Sequence, residues 1–156
     1  MIKVLEIANW VSLAAILIIA MYQDITMQKI KNEVNVAGVL LGIVFAFILP
    51  EREVFPAFVG FLVLLITGIF CWKIKIFRAG DAKLLCAVGT FTGWRMGLNI
   101  LLIAAVCGAV LGLPLVIKRI AKKEKEMTKF PFSIAISIAC VLGLMFGYVW
   151  DIINFM

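Results

Sequence analysis

Apolar residues fill this chain in long blocks, and polar residues break in at only a few places. The blocks cover about residues 4–22, 34–49, 54–72, 82–95, 97–117 and 132–152. A bilayer core of about 30 Å takes roughly 20 helical residues, so each block reads as a transmembrane helix. The interruptions are QDITMQKIKNE after the first block, EREV between Pro50 and Pro56, KIKIFRAGDAK from Lys73 to Lys83, and KRIAKKEKEMTK from Lys118 to Lys129. Residues 84–117 would make one helix of about 50 Å, too long for one span and just enough for two. The run GWRMG, with Gly93, Arg95 and Gly97, supplies the bend.

Composition supports a chain that lives in lipid. It is 65% hydrophobic with a mean hydropathy of +1.15, and only 15% of its 156 residues are charged, against about 25% in soluble domains. The expected fold is all-α: one domain over residues 1–156, six transmembrane helices in a compact bundle. The first block reads as a retained span. Lys3 is its one early cation, Glu6 follows, and no small-x-small cleavage site closes it near Met21.

Charge sets the expected orientation. Three interruptions carry Lys29 and Lys31; Lys73, Lys75, Arg78 and Lys83; and Lys118, Arg119, Lys122, Lys123, Lys125 and Lys129. In a six-span chain these twelve fall on one side, and only Lys3, Arg52 and Arg95 fall on the other. That bias puts the twelve in the cytoplasm and both termini outside. The net charge of +6 is thus explained by topology in a lipid bilayer, and nucleic acid is not an expected partner. The basic 118–129 loop is read as a topology determinant, with anionic lipid or an assembly machine as the alternative contact.

Four G-x-x-x-G pairs, Gly38/Gly42, Gly89/Gly93, Gly108/Gly112 and Gly143/Gly147, predict close helix packing. The cysteines Cys71, Cys86, Cys107 and Cys140 form no C-x-x-C pair, and the chain has no histidine. No metal or cofactor is expected, and histidine-based or zinc chemistry is excluded.

Acidic residues are scarce, nine in all, and two of them end apolar blocks on the predicted cytoplasmic side: Asp24 and Asp81. Taken singly, each has a plain reading as a solvated boundary residue or a helix cap, the latter supported at Asp81 by the preceding Gly80. Taken together they offer another. Two neighbouring carboxylates do not both ionise easily; one keeps a proton while the other stays charged. The charged member takes a proton from water and the protonated one hydrogen-bonds the carbonyl under attack. Which aspartate plays which part is not set by sequence.

The stretch from Asp24 to Asn32 and the stretch Gly80-Asp81-Ala82-Lys83-Leu84-Leu85 resemble the two active-site motifs of the type IV prepilin peptidase family, of the G-x-G-D membrane aspartic proteases. Phe130-Pro131-Phe132 is similar to the family's proline-containing entry to its last helix. The resemblance runs over essentially the whole chain. It implies an aspartic endopeptidase that removes a short basic leader from a prepilin or pilin-like membrane substrate at the cytoplasmic face of the cell membrane, with Asp24 and Asp81 catalytic. Gly80, Lys83 and Asn32 would support them: Gly80 by leaving room beside Asp81, Lys83 by tuning local charge or setting topology, Asn32 by capping the second helix or bonding to the loop. Two departures stand out. Arg78 occupies the first glycine of G-x-G-D, where it would bias the pair toward its ionised form, and Lys31 stands where the family often has proline. The chain resembles the short, peptidase-only form, so methyl transfer is not expected. The rival readings are a non-catalytic membrane scaffold of the same fold and a proton-linked transporter. The transporter calls for ionisable groups at mid-span, and the predicted spans have none.

Overall fold

A computed structural model describes residues 2–49, 54–74, 78–122 and 131–155. The apolar blocks are almost entirely helical, as backbone polar groups in lipid require. Helix α1 runs Ile2–Met27, α2 Asn32–Ile48, α3 Val54–Lys73, α4 Ala79–Lys122 and α5 Phe132–Phe155. No strand occurs among the described residues. The EREV turn (in part), Lys75, Phe130 and most of the 118–129 loop lie outside them.

Helix α4 is continuous in name only. At Gly93 the backbone takes φ 75° and ψ 176°, a conformation essentially confined to glycine. The two sides of this point lie close together. A Cβ on Gly89 and a Cβ on Gly97 would both sit about 3 Å from Cδ1 of Leu64, so they are within about 6 Å of each other. In a straight helix, eight residues span roughly 12 Å. The chain therefore folds back at Gly93, the first residue of GWRMG, and α4 forms two arms. A cation and a ring meet at this turn: the Arg95 guanidinium lies 5.1 Å from the Trp94 ring centroid. Gly93→Ala is expected to cost about 1–3 kcal/mol, read as a lower melting temperature in detergent.

Among the described residues three helices are long and apolar enough to cross a membrane: Lys3–Met27, Val54–Lys73 and Ala79–Pro114, the last containing the reversal. Asn32–Ile48 and Phe132–Met145 are shorter apolar helices. Among the described residues the five helices, with α4 folded back on itself, form six arms. Large apolar side chains point outward on several helices, including Val4, Phe47, Phe55, Ile66 and Leu102, each more than half exposed. An apolar exterior of this kind fits a multi-pass membrane protein.

The contacts between arms give an up-and-down arrangement. Gly68 of α3 lies against Ala82 of α4, and Gly60 against Gly89 and Gly93, so α3 and the first α4 arm are antiparallel. Gly38 and Gly42 of α2 lie against Ala87 and Thr90. In the second arm Gly108 meets Phe132 and Ile100 meets Gly143, again antiparallel. One end of the bundle thus gathers the end of α1, the start of α2, the end of α3, the start of α4 and the start of α5. Of the predicted glycine pairs, Gly38/Gly42 packs at both members, while Gly112 faces nothing within 4 Å; side-chain surroundings at Gly147 lie outside the described residues.

The first arm of α4 is the centre of the bundle. All of residues 81–91 except Lys83 are buried. Around it pack Leu13, Ile16 and Leu17 of α1, Leu64 of α3, and Ile136 of α5.

Candidate active site

Asp24 belongs to the buried stripe of α1. Leu13, Ile16, Leu17 and Ala20 are buried at helical spacing, and Asp24 is the next position on that face, 2% exposed. The sequence placed the end of this block near residue 22, yet the helix continues to Met27. The added helix carries the carboxylate inward, so it is not a solvated boundary residue. Helix α1 stops at Gln28, which has a left-handed φ of 51°. The chain then turns back through Ile30, which is buried.

Asp81 lies in the first turn of α4 and is 1% exposed. It is not the N-cap. Its Oδ2 accepts the backbone N–H of Arg78, three residues earlier, at 3.1 Å, which is one half of a capping box. The residue before the helix is thus tied to Asp81 through its main chain. Its side chain reaches the other aspartate: Nη1 of Arg78 donates to Oδ1 of Asp24 at 3.0 Å and to the carbonyl of Gln28 at 3.2 Å. One residue, the departure from the G-x-G-D pattern, contacts both carboxylates. Arginine suits the position because its charge is compatible with a buried carboxylate.

Asp24 has a third neighbour that sequence reading missed. Ser133, buried in the first turn of α5, donates its hydroxyl to Oδ2 of Asp24 at 2.7 Å and its backbone N–H to the same oxygen at 3.3 Å. A signal for it does exist. A serine follows Pro131-Phe132 at a helix start, where N–H groups lack intrahelical partners and favour an anion.

The supporting residues take different places. A Cβ on Gly80 would sit 3.3 Å from Cβ of Ile30; the glycine makes room for the α1–α2 turn. Its carbonyl accepts Nδ2 of Asn35 at 3.4 Å. Asn35 was also missed; it is 2% exposed, and a buried asparagine in an apolar helix is its signal. Capping of α2 by Asn32 is not found. The N-cap is Lys31, with no side-chain cap bond, and Oδ1 of Asn32 accepts Nζ of Lys83 at 2.8 Å. That contact joins the starts of α2 and α4 and takes Lys83 to Asn32. Lys31 has φ −66°, which proline would accept, but its N–H donates to Oε1 of Gln23 at 2.9 Å, a bond proline lacks.

The site therefore holds two buried carboxylates, one arginine linking them and one serine fixing Asp24. In such a setting a carboxylate is costly unless its oxygens are satisfied.

The type IV leader peptidase family matches residues 11–113, a stretch that includes Asp24, Arg78 and Asp81 but ends before Ser133. The chain is also similar to the Prepilin leader peptidase/N-methyltransferase of Aeromonas hydrophila, 26% identical over 95% of this chain and 55% of that protein. The protein of the same name from Myxococcus xanthus (strain DK1622) is 30% identical over 69% of this chain and 34% of its own length. The chain spans about half the length of the Aeromonas relatives it matches. No solved structure matches it. With the family match covering more than half of its residues, the chain belongs to the type IV leader peptidase family.

Proposed function

We propose that the chain is an aspartic endopeptidase that removes the short basic leader of a prepilin or pilin-like membrane protein, working at the cytoplasmic face of the cell membrane. The observation that carries this reading is the convergence of Asp24 and Asp81 on Arg78. They lie 57 positions apart in sequence, on different helices, yet both are buried at one end of the bundle and both contact Arg78. Burial of two carboxylates in an apolar protein is expensive, and function is the usual reason for it.

In the proposed step the ionised carboxylate takes a proton from water as the water oxygen attacks the scissile carbonyl carbon. The protonated carboxyl group hydrogen-bonds the carbonyl oxygen. The C–N bond then breaks, and the amine leaves with the proton that the first carboxylate took from water. The basic residues described near the site, Lys29, Lys31, Arg78 and Lys83, lie at the same end of the bundle, which supports a cytoplasmic location by the positive-inside bias. The substrate's apolar stem would lie against the outer helix faces.

A non-catalytic scaffold of the same fold has one observation in its favour: Arg78 already engages Oδ1 of Asp24. Co-expression with candidate prepilins decides between them. A mass loss equal to the leader supports the peptidase; intact prepilin beside verified membrane-inserted protein, across several candidates, supports the scaffold.

A further inference from the structure

The two oxygens of Asp24 have unlike partners. Oδ2 receives two donors from a single residue, the hydroxyl and the N–H of Ser133. Ser133 has no exposed surface, and the face of α5 that carries it continues through Ile136, Ala139 and Cys140, all buried. These residues key α5 to the core, so the donors on Oδ2 are fixed by packing as well as by hydrogen bonding. Oδ1 receives Nη1 of Arg78, at the end of a long side chain that is 31% exposed. The same nitrogen also donates to the carbonyl of Gln28, at the rim of the site.

A carboxylate held by two donors at one oxygen cannot rotate freely, and its second oxygen is then aimed. We propose that Ser133 is a positioning residue for the reaction: by anchoring Oδ2 of Asp24 it presents Oδ1 as the oxygen that meets water, and Arg78 is the partner that moves aside. This inference rests on the aspartate reading above and adds a residue that lies beyond the family match. The helix N-terminus strengthens the anchor, because the free N–H groups of the first α5 turn favour a negative group there. No bond is made or broken at Ser133. It acts through Asp24, and small errors in the placement of a reacting group are costly to rate.

The test is steady-state cleavage of a purified prepilin by wild type, Ser133→Ala and Ser133→Thr in the same detergent or lipid, with thermal unfolding measured on each. The N–H of residue 133 survives both changes, so a partial effect is expected. Ser133→Ala is expected to lower kcat about tenfold with KM within about twofold of wild type and a modestly lower melting temperature, because a buried carboxylate loses a donor. Ser133→Thr, which keeps a hydroxyl, is expected to recover most of that loss. A wild-type kcat in Ser133→Ala overturns the proposal. So does a fall in kcat accompanied by an equal rise in KM, since substrate binding then explains the effect. Asp24→Asn and Asp81→Asn are run alongside. If they still cleave, the aspartate reading has failed; if they are inactive while Ser133→Ala behaves as wild type, only the positioning role has failed.

Discussion

Asp81→Asn is expected to abolish leader removal while leaving the protein folded. The fold tolerates this change because the amide oxygen of asparagine accepts the Arg78 N–H as the carboxylate does. What is lost is the acid proton and the charge. General acid–base groups contribute about 10²–10⁴-fold each, so cleavage should fall by roughly a thousandfold, below detection when a co-expressed prepilin is followed by mass. Asp24→Asn is expected to be equally inactive but less stable. An amide nitrogen there would face the donors of either Arg78 or Ser133, and Arg78 would lose its anion. Breaking one partner of a buried pair costs up to about 3–5 kcal/mol, less here because Arg78 is partly exposed. The two variants therefore separate chemistry from folding. Full cleavage by Asp81→Asn, with the protein at normal abundance, would sink the two-aspartate mechanism.

The difference between the two variants was hidden in the sequence for a definite reason. Hydropathy marks where apolar residues stop, not where a helix stops. The first block ended near residue 22 because Gln23 and Asp24 are polar, but nothing there breaks a helix, and Thr26 even bonds back to the carbonyl of Tyr22. The helix carried on and swung Asp24 onto the buried stripe. Helices α3 and α5 start at residues 54 and 132, while α4 runs on to Lys122, past the block that ended near 117. The reversal at Gly93 was legible because a 34-residue block is too long for one span. The two aspartates were legible because acids are scarce beside apolar blocks. Their neighbours were less so. Arg78 was seen as an electrostatic influence, but its main-chain bond to Asp81 depends on helix phase. The contact of Ser133 with Asp24 crosses 109 positions, and no local pattern encodes it. Of the two readings of Asn32, capping α2 is not met, although asparagine at a helix start is a common cap. Here the chain enters α2 one residue earlier, at Lys31, which frees Asn32 for Lys83.

Gly60→Ala is expected to cost more folding free energy than a methyl group added at a glycine that faces only side chains. Gly60 belongs to none of the G-x-x-x-G pairs, since Pro56 and Leu64 stand four residues away on either side. Even so, it packs main chain against main chain. A Cβ there would run into the carbonyl oxygen of Gly89 and lie 2.8 Å from the carbonyl carbon of Gly93. From the other side, a Cβ on Gly89 would lie 2.6 Å from the Gly60 carbonyl oxygen. Because these neighbours are backbone atoms, no rotamer change relieves the overlap. Helix α3 would have to withdraw from the first arm of α4 and from the turn at Gly93 together. Overpacking in a tight core costs about 1–3 kcal/mol, and more where backbone must move. A loss near the top of that range is a large part of the roughly 5–15 kcal/mol typical of whole-domain stability. The melting temperature should fall on the order of 10 °C, with less protein recovered from membranes. Cleavage should fall too, because the displaced arm carries Asp81. Gly112→Ala is the matched control: it adds the same methyl group where nothing lies within 4 Å and should melt as wild type. Equal melting of the two variants would mean that α3 and α4 are not in backbone contact. A collapse confined to Gly60→Ala would show that the facing helix, not the spacing of glycines along one helix, decides where this bundle closes.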